Sequence, residues 1–274
     1  MPAYKNRPLM DPDTPVWRYL SLNAVIATVR DRRLRFTRVD TFPDPFEGSV
    51  PKQTIDDQVV LFGGAYQMRM TYASVAAYYP SGAMSLPEWE DPWERMTRLR
   101  RARTRSTHAC CWAAGEESEA LWRLYCKDDC RPGLGVALQT TLAQLETSVT
   151  PHDLYVSPIT YRYYHEGPAF NDERDSFMHK RKGFSAEHEV RLLKVDDAHF
   201  GALFNKSATE AELPPKHLFL NWLAADAIMH IVLSPYAEEP FEQRARVAIE
   251  AVDASLRDRV ILSVLNPRRY APGF

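Results

Sequence analysis

The sequence predicts a mixed α+β fold with mostly antiparallel sheets and a helical insertion between two sheet segments. About seven short segments are either continuously apolar or alternate apolar with polar residues, as strands do. Helices do not separate these segments at the regular intervals that a doubly wound parallel sheet requires. With 274 residues, 45% of them apolar and 11% aromatic, the chain can bury a large core. We therefore expect a single α+β domain over 1–274.

The first fifty residues predict a strand, a helix, a second strand and a loop. Aromatic and polar residues alternate in 16–22, and Ser21 or Asn23 is placed to cap the helix that follows. Residues 34–39 alternate in the same way and predict the second strand. The loop at 41–51 is rich in proline, which fixes its backbone.

The middle of the chain changes to helical character over about 58–105, which predicts the insertion. After it, short apolar or alternating segments return and predict the rest of the sheet. The later strands are predicted at 108–114, 133–138, 157–164, 187–195, 227–235 and 260–267, and the later helices at 117–126, 141–149 and 240–256.

Charge and motifs exclude several classes of function. The formal net charge of −2 gives no global basic field for nucleic acid, although basic segments at 96–106 and 179–182 allow local contacts. Neither GxGxxG nor GxxxxGK[ST] occurs, so classical dinucleotide and NTP-binding modes are not expected.

The cysteines and the N-terminus indicate a reducing compartment. Cys110 and Cys111 are adjacent, and Cys126 and Cys130 follow. Because these spacings lack the CxxC pairs of a structural zinc site, we expect free thiols and no metal. No apolar segment resembles a signal peptide or approaches the roughly 20 residues of a membrane span. We expect a soluble, cytoplasmic protein without a membrane partner.

The segment EHEVRLL is the main candidate for a functional site. Alternate residues of a strand face the same side, so Glu187, Glu189 and Arg191 are expected in one row, with Lys180 and Phe184 preceding them. Two carboxylates about 7 Å apart on one strand face repel each other unless a cation, a proton or a sugar hydroxyl relieves them. The row is either an exposed ladder of charges or part of an active site.

The first predicted strand contributes Arg18 and Tyr19, which fall on opposite faces. A buried arginine needs a partner or an anionic ligand, because an unpaired guanidinium is expensive to remove from water. A structural salt bridge and a ligand contact are both open at Arg18.

Two further segments carry polar or aromatic candidates. Asp44 and Glu47 lie in the proline-rich loop, which is either a well-capped turn or the wall of a site, and the turn is favoured. Trp122 and Tyr125 lie three residues apart on a predicted helix. Such a stripe usually packs in the core, although the same rings stack on a base beside a nucleotide site.

Four groups of residues occur in order along the chain. They are W-x-Y-x-S-L, DPFEG, the group formed by CCWAA, ALWRLY and GLGVAL, and K-x3-F-x2-E-x-E-x-R. Their combination resembles the bacterial domain of unknown function family numbered twenty-nine seventy-one over residues 16 to about 265. That family has no assigned activity, so the resemblance concerns the fold and leaves the chemistry open.

The order of elements also resembles that of NAD-dependent ADP-ribosyltransferases, which implies an ADP-ribosyltransferase-like fold and NAD as the cofactor. On this resemblance Arg18 grips the phosphate or ribose of NAD, and Glu189 is the late-strand catalytic glutamate. Glu187 aims the acceptor. The remaining cofactor contacts are expected at Tyr19, Trp122, Tyr125, Lys180 and Phe184. No clear histidine stands in the first motif, and THACC is the nearest counterpart of the Ser-Thr-Ser phrase.

These groups suit the chemistry of NAD cleavage. Breaking the nicotinamide glycosidic bond develops oxocarbenium character on the ribose, which a carboxylate stabilises. The resemblance implies an NAD-cleaving effector or transferase, such as a toxin or phage-defence protein, that acts on a nucleotide, protein or nucleic-acid acceptor and has an antitoxin or partner protein. On this hypothesis Glu189→Gln abolishes cleavage, whereas Glu187→Gln mainly affects transfer.

Two alternatives belong to other classes. One is a metal-dependent nuclease with Mg²⁺ on the four acids and phosphates on the basic segment 98–105. The other is a non-catalytic binding module whose charged strand pairs with a partner. The four acids of the nuclease hypothesis are Asp44, Glu47, Glu187 and Glu189.

Overall fold

The computed structural model describes residues 9–49, 51, 92–128, 130–149, 152–163, 165, 174–204, 213–222 and 224–270. The strands are β1 (Pro15–Leu20), β2 (Arg33–Arg38), β3 (Thr107–Ala114), β4 (Lys127–Asp128), β5 (Arg131–Pro132), β6 (Val136–Thr141), β7 (Tyr155–Pro158), β8 (Thr160–Arg162), β9 (His179–Arg181), β10 (Glu189–Val195), β11 (His217–Asn221), β12 (His230–Leu233) and β13 (Val260–Leu262). The helices are α1 (Leu22–Asp31), α2 (Pro92–Ser106), α3 (Glu119–Tyr125), α4 (Leu142–Val149), α5 (Asp175–Met178), α6 (Asp197–Phe204), α7 (Ala224–Ala227) and α8 (Glu239–Val252), with 3₁₀ segments at Val39–Thr41, Lys182–Glu187, Ala254–Arg259 and Pro267–Arg269.

Nine strands form one sheet, in which seven follow the order β11-β2-β3-β1-β6-β12-β13. The remaining two extend from the other edge of β3, where β10 pairs with β3 and β7 pairs with β10. Every pairing in this sheet is antiparallel except β12 with β13. The mixed, mostly antiparallel α+β class predicted from the sequence is therefore confirmed.

Strand β3 organises the sheet because three strands meet it. Along one edge, β10 pairs with β3 from Thr107 to Ala113. Along the other edge, β2 pairs only at His108 and Ala109, and β1 pairs only at Ala113 and Ala114. The strands β1 and β2 therefore diverge beside the middle of β3 and leave a gap between them.

The sheet has two different faces. Opposed residues of antiparallel strands lie on the same face, so Trp17, Ala113 and Glu189 share one face through their common register. The other face carries Val16, Trp112 and Val190, which belong to the largest apolar core. The charged site therefore lies on the face opposite that core.

Helix α1 covers the large core with its apolar side. Ser21 caps it by accepting a hydrogen bond from the backbone N–H of Ala24, and Arg32 ends it in the left-handed conformation. Leu22, Val25 and Val29 are its buried residues, at the helical spacing that predicts a buried stripe. The sequence correctly predicted this helix and its cap.

The structure differs from the predicted elements in the region of the site. Of the single strand predicted at 157–164, the described residues supply the end of β7 and the separate strand β8, which pairs with β9 in a two-stranded sheet. The strand predicted to begin at Glu187 begins at Glu189, because His188 adopts the left-handed conformation with φ of 44°. Of the predicted insertion, α2 is a helix, and 58–91 lies outside the described residues.

Candidate functional site

A buried network of five charged side chains occupies the sheet face that carries Glu189. Arg191 lies at its centre and is wholly buried. Its guanidinium donates to Glu189 Oε1 at 2.6 Å and to both carboxylate oxygens of Glu47 at 2.9 and 3.1 Å. It also donates to the backbone carbonyl of Phe177 at 2.8 Å. These bonds satisfy a cation that would otherwise be very costly to bury.

Lys180 joins the network to its more accessible end. Its Nζ donates to Glu187 Oε2 at 2.7 Å and to Glu189 Oε2 at 3.1 Å, and it lies 3.9 Å from Glu47 Oε1. Three carboxylates against two cations leave the network one net negative charge. Lys180 also lies 4.9 Å from the ring centroid of Phe184, within cation–π distance.

Backbone geometry sets the positions of the acids. Glu189 and Arg191 are two residues apart on β10 and so share a face. Glu187 ends the 3₁₀ segment before the left-handed residue His188, so its position does not follow from strand alternation. Glu187 and Glu189 nevertheless lie close together, because both accept a hydrogen bond from the ammonium of Lys180. The row predicted from the sequence holds for two of its three members.

The proline-rich loop supplies the third acid. Asp44 accepts from the backbone N–H of Phe46 at 3.0 Å, which is the hydrogen bond of an Asx turn. The turn carries Glu47 into the network, where only 6% of the residue is exposed. Arg181 donates to Asp44 at 2.9 Å. The favoured interpretation as a turn is correct for Asp44, and Glu47 in addition forms part of the charge network.

The network keeps Glu189 and Lys180 ionised. Burial opposes ionisation of Glu189, but Arg191 and then Lys180 outweigh it and lower the pKa of Glu189 to about 2. Burial likewise opposes the charge of Lys180, yet Glu189 and Glu187 raise its pKa. Glu189 is therefore a fixed negative charge near neutral pH, and both of its oxygens accept hydrogen bonds within the network.

Glu187 is the more available carboxylate. Only its Oε2 accepts a hydrogen bond from a described residue, and 12% of its side chain is exposed, against 5% for Glu189. Tyr125, half exposed on α3, lies nearby. Burial first and the charge of Glu187 next raise the pKa of Tyr125, so its hydroxyl lies within electrostatic range of the network.

Two further groups contact Glu189. Its backbone N–H donates to the hydroxyl of Tyr161 at 2.7 Å, and burial followed by the charge of Glu189 raises the pKa of Tyr161. The pKa of the Cys111 thiol is raised by burial and then by Glu189. Neither residue was predicted from the sequence. Cys111 pairs with Arg191 and lies on the same face as Ala113, the partner of Glu189, but these pairings were not visible before the sheet was known.

Arg18 does not share a cleft with Glu189, which corrects the prediction that it does. Both residues belong to one sheet, and Trp17 and Glu189 both pair with Ala113, so β1 and β10 lie about 10 Å apart on either side of β3. Arg18 follows Trp17 and points to the opposite face, where its guanidinium lies 6.0 Å from the Trp112 ring. The intervening strand β3 and strand alternation together separate the two charges.

Trp122 and Tyr19 are core residues rather than exposed stacking surfaces. Trp122 is wholly buried, and its indole donates to Glu117 at 2.7 Å. Tyr19 packs edge-on against it at 4.9 Å and accepts from the backbone N–H of Ser118. Because neither ring presents an open face, their predicted contacts with NAD are corrected. Tyr125 and Phe184 remain the aromatic candidates beside the acids.

The acids expected to hold a metal surround an ammonium instead. Glu47, Glu187 and Glu189 converge on Lys180 Nζ, and Asp44 pairs with Arg181. Within the described part of the chain, no group of three or more histidine, cysteine or acidic residues is arranged to hold a metal ion. Cys110, Cys111, Cys126 and Cys130 have free thiols.

No family model, curated protein or solved structure matches the chain. Its two resemblances, to the bacterial domain family and to ADP-ribosyltransferases, stay predictions. Among the residues described, no helix is both long and apolar enough to cross a bilayer.

Proposed function

We propose that the accessible end of the charge network cleaves NAD at its nicotinamide glycosidic bond and passes ADP-ribose to water or to a macromolecular acceptor. The observation that carries the proposal is the pair Glu187 and Glu189, which both accept hydrogen bonds from the Lys180 ammonium. Among the described residues, none donates a hydrogen bond to the other oxygen of Glu187, whose charge acts on Tyr125. The sequence resemblance to NAD-dependent ADP-ribosyltransferases supplies the reaction class. A toxin or phage-defence role would follow from that class.

On this proposal Glu187 takes the catalytic role that the sequence resemblance gave to Glu189, and Glu189 takes a positioning role. Glu189 is nearly inaccessible and uses both oxygens on Arg191 and Lys180, so it positions Glu187 through Lys180. Glu187 faces the ribose. The C–N bond breaks with its electron pair leaving on nicotinamide, and the acceptor oxygen then bonds to the ribose carbon while its proton passes to Glu187. One net negative charge in the network favours the cationic transition state.

The aromatic side chains suit a planar cationic ring. Tyr125 is half exposed, and Phe184 lies over Lys180 at the same end of the network. An aromatic face attracts a cation electrostatically, and nicotinamide in NAD is a planar cation. These two residues are therefore proposed to flank the nicotinamide.

The test is nicotinamide release by wild type, Glu187→Gln, Glu189→Gln and the matched control Glu116→Gln, whose side chain is on an exposed residue. We expect Glu187→Gln to lose about a hundredfold or more in rate with little change in melting temperature. Glu189→Gln should lose both activity and stability. Glu116→Gln should match wild type.

Two results would count against the proposal. Wild type that releases no nicotinamide with water, protein or nucleic-acid acceptors lacks the activity. Glu187→Gln with the rate of Glu116→Gln would mean that the network only stabilises the fold, as expected for a non-catalytic binding module.

A further inference from the structure

A cavity of about 260 Å³ opens on the sheet face that carries Glu189, beside the far end of β10. Thr107 of β3 and Val195 of β10 are paired residues on that face, and both line the cavity. Val195 lies six residues after Glu189, which at about 3.3 Å per residue places the cavity about 20 Å from that carboxylate. The cavity is therefore separate from the cleft proposed for NAD cleavage.

Helices α2 and α6, which pack against each other, form part of the wall. Helix α2 contributes Arg103 and Ser106, and α6 contributes Asp197 and Phe200. Each pair is three residues apart and so lies on one side of its helix. The cavity is much larger than a single water needs, and its volume approaches the lower end of ligand pockets, about 300 Å³. It therefore suits a small ligand.

A buried hydroxyl group faces this cavity without a partner. Only 1% of Thr107 is exposed, and its Oγ1 makes no hydrogen bond within the described part of the chain. The adjacent hydroxyl of Ser106, in contrast, donates to the backbone carbonyl of Arg103 at 3.2 Å. Buried polar atoms without partners are rare. Because Thr107 lines the cavity, its hydroxyl indicates that a ligand atom completes the hydrogen bond there.

Charged residues of both signs line the cavity. Arg103 and Arg174 are partly buried, and the guanidinium of Arg174 lies 4.4 Å from the ring centroid of Tyr155. Asp153 and Asp197 are exposed. Within the described residues, no side chain forms an ion pair with either aspartate. The positive charges are therefore less exposed than the negative charges, which lie where solvent reaches the cavity.

We propose that this cavity binds a free α-amino acid with an apolar side chain. The carboxylate of the ligand accepts a hydrogen bond from the Thr107 hydroxyl and faces the two arginines, because charge-assisted hydrogen bonds to a guanidinium are strong. Its ammonium faces the two exposed aspartates. Phe200 and Val195 supply apolar surface for its side chain. A zwitterion matches this lining, in which the formal charges of two arginines and two aspartates sum to zero.

Calorimetric titration of the full chain with L-leucine tests the proposal, and two analogues test the need for both charges. Wild type should bind L-leucine. L-leucinamide, which lacks the carboxylate, and N-acetyl-L-leucine, which lacks the ammonium, should each bind about tenfold or more weakly. Wild type that binds no L-leucine at millimolar concentrations, or that binds either analogue as tightly as L-leucine, would overturn the site.

Variants of the lining residues locate the binding in this cavity. Thr107→Val removes the hydroxyl and keeps the shape of the side chain, so it should not lower the melting temperature but should weaken L-leucine binding about tenfold. Asp153→Asn combined with Asp197→Asn should weaken binding by a similar factor. The matched control is Asp258→Asn, also on an exposed residue, which should change the affinity less than twofold. Wild-type affinity in Thr107→Val or in the double variant would refute the assignment.

Discussion

Replacing Arg191 by methionine should destabilise the protein strongly, because Arg191 is the central cation of the buried network. The substitution removes four hydrogen bonds and leaves Glu47 and Glu189 buried with Lys180 as their remaining cation. Removing one partner of a buried ion pair costs about 3–5 kcal/mol. Because a domain of roughly this size loses about 2–4 °C per kcal/mol, the melting temperature should fall by about 6–20 °C.

The assay is urea unfolding at pH 7, followed by circular dichroism, with Arg33→Met as the control on an exposed arginine. The control should lie within about 0.5 kcal/mol of wild type. Adding Glu47→Gln to Arg191→Met removes a buried negative charge that has lost its arginine partner. The double variant should therefore recover about 1 kcal/mol or more of unfolding free energy. Two results would contradict this prediction: an unfolding free energy of Arg191→Met within about 1 kcal/mol of wild type, or a further loss of stability when Glu47→Gln is added. Either result would mean that Arg191 does not stabilise the buried carboxylates.

Two further predictions concern acid stability and packing. Because the folded pKa of Glu189 is lowered to about 2, the stability it contributes is present above about pH 4.5 and is lost as pH falls towards 2. Urea unfolding between pH 7 and 3 should therefore show wild type losing on the order of 2 kcal/mol more than Glu189→Gln, and equal slopes would contradict this. Gly135→Ala should cost about 1–3 kcal/mol, because its Cβ would lie 2.5 Å from the carbonyl oxygen of Leu20 and 2.8 Å from the Cys126 sulfur. Gly183→Ala meets open space and should stay within about 0.5 kcal/mol of wild type when both glycine variants are unfolded in urea at pH 7; equal losses would show that packing at Gly135 is looser than described.

Local patterns were sufficient for much of the fold. Alternation predicted β1 and β2, a short apolar segment predicted β3, and the candidate caps Ser21 and Asn23 predicted the start of α1, because these features depend on residues close together in the chain. Short edge strands such as β8 and β9 were missed or merged, since two or three residues carry too little pattern.

Some features of the candidate site were also predictable from the sequence, and others were not. The sequence by itself determined that Glu189 and Arg191 share a face, because strand alternation is a local property. Only the tertiary structure decided that Glu47, 144 residues away from Arg191, is its partner, that Lys180 holds Glu187, and that Arg18 lies on the other face. Those placements depend on strand order and on the left-handed turn at His188, which bring together residues distant in the chain. The balance between the cost of burying a charge and the energy of pairing it is set only once these residues meet.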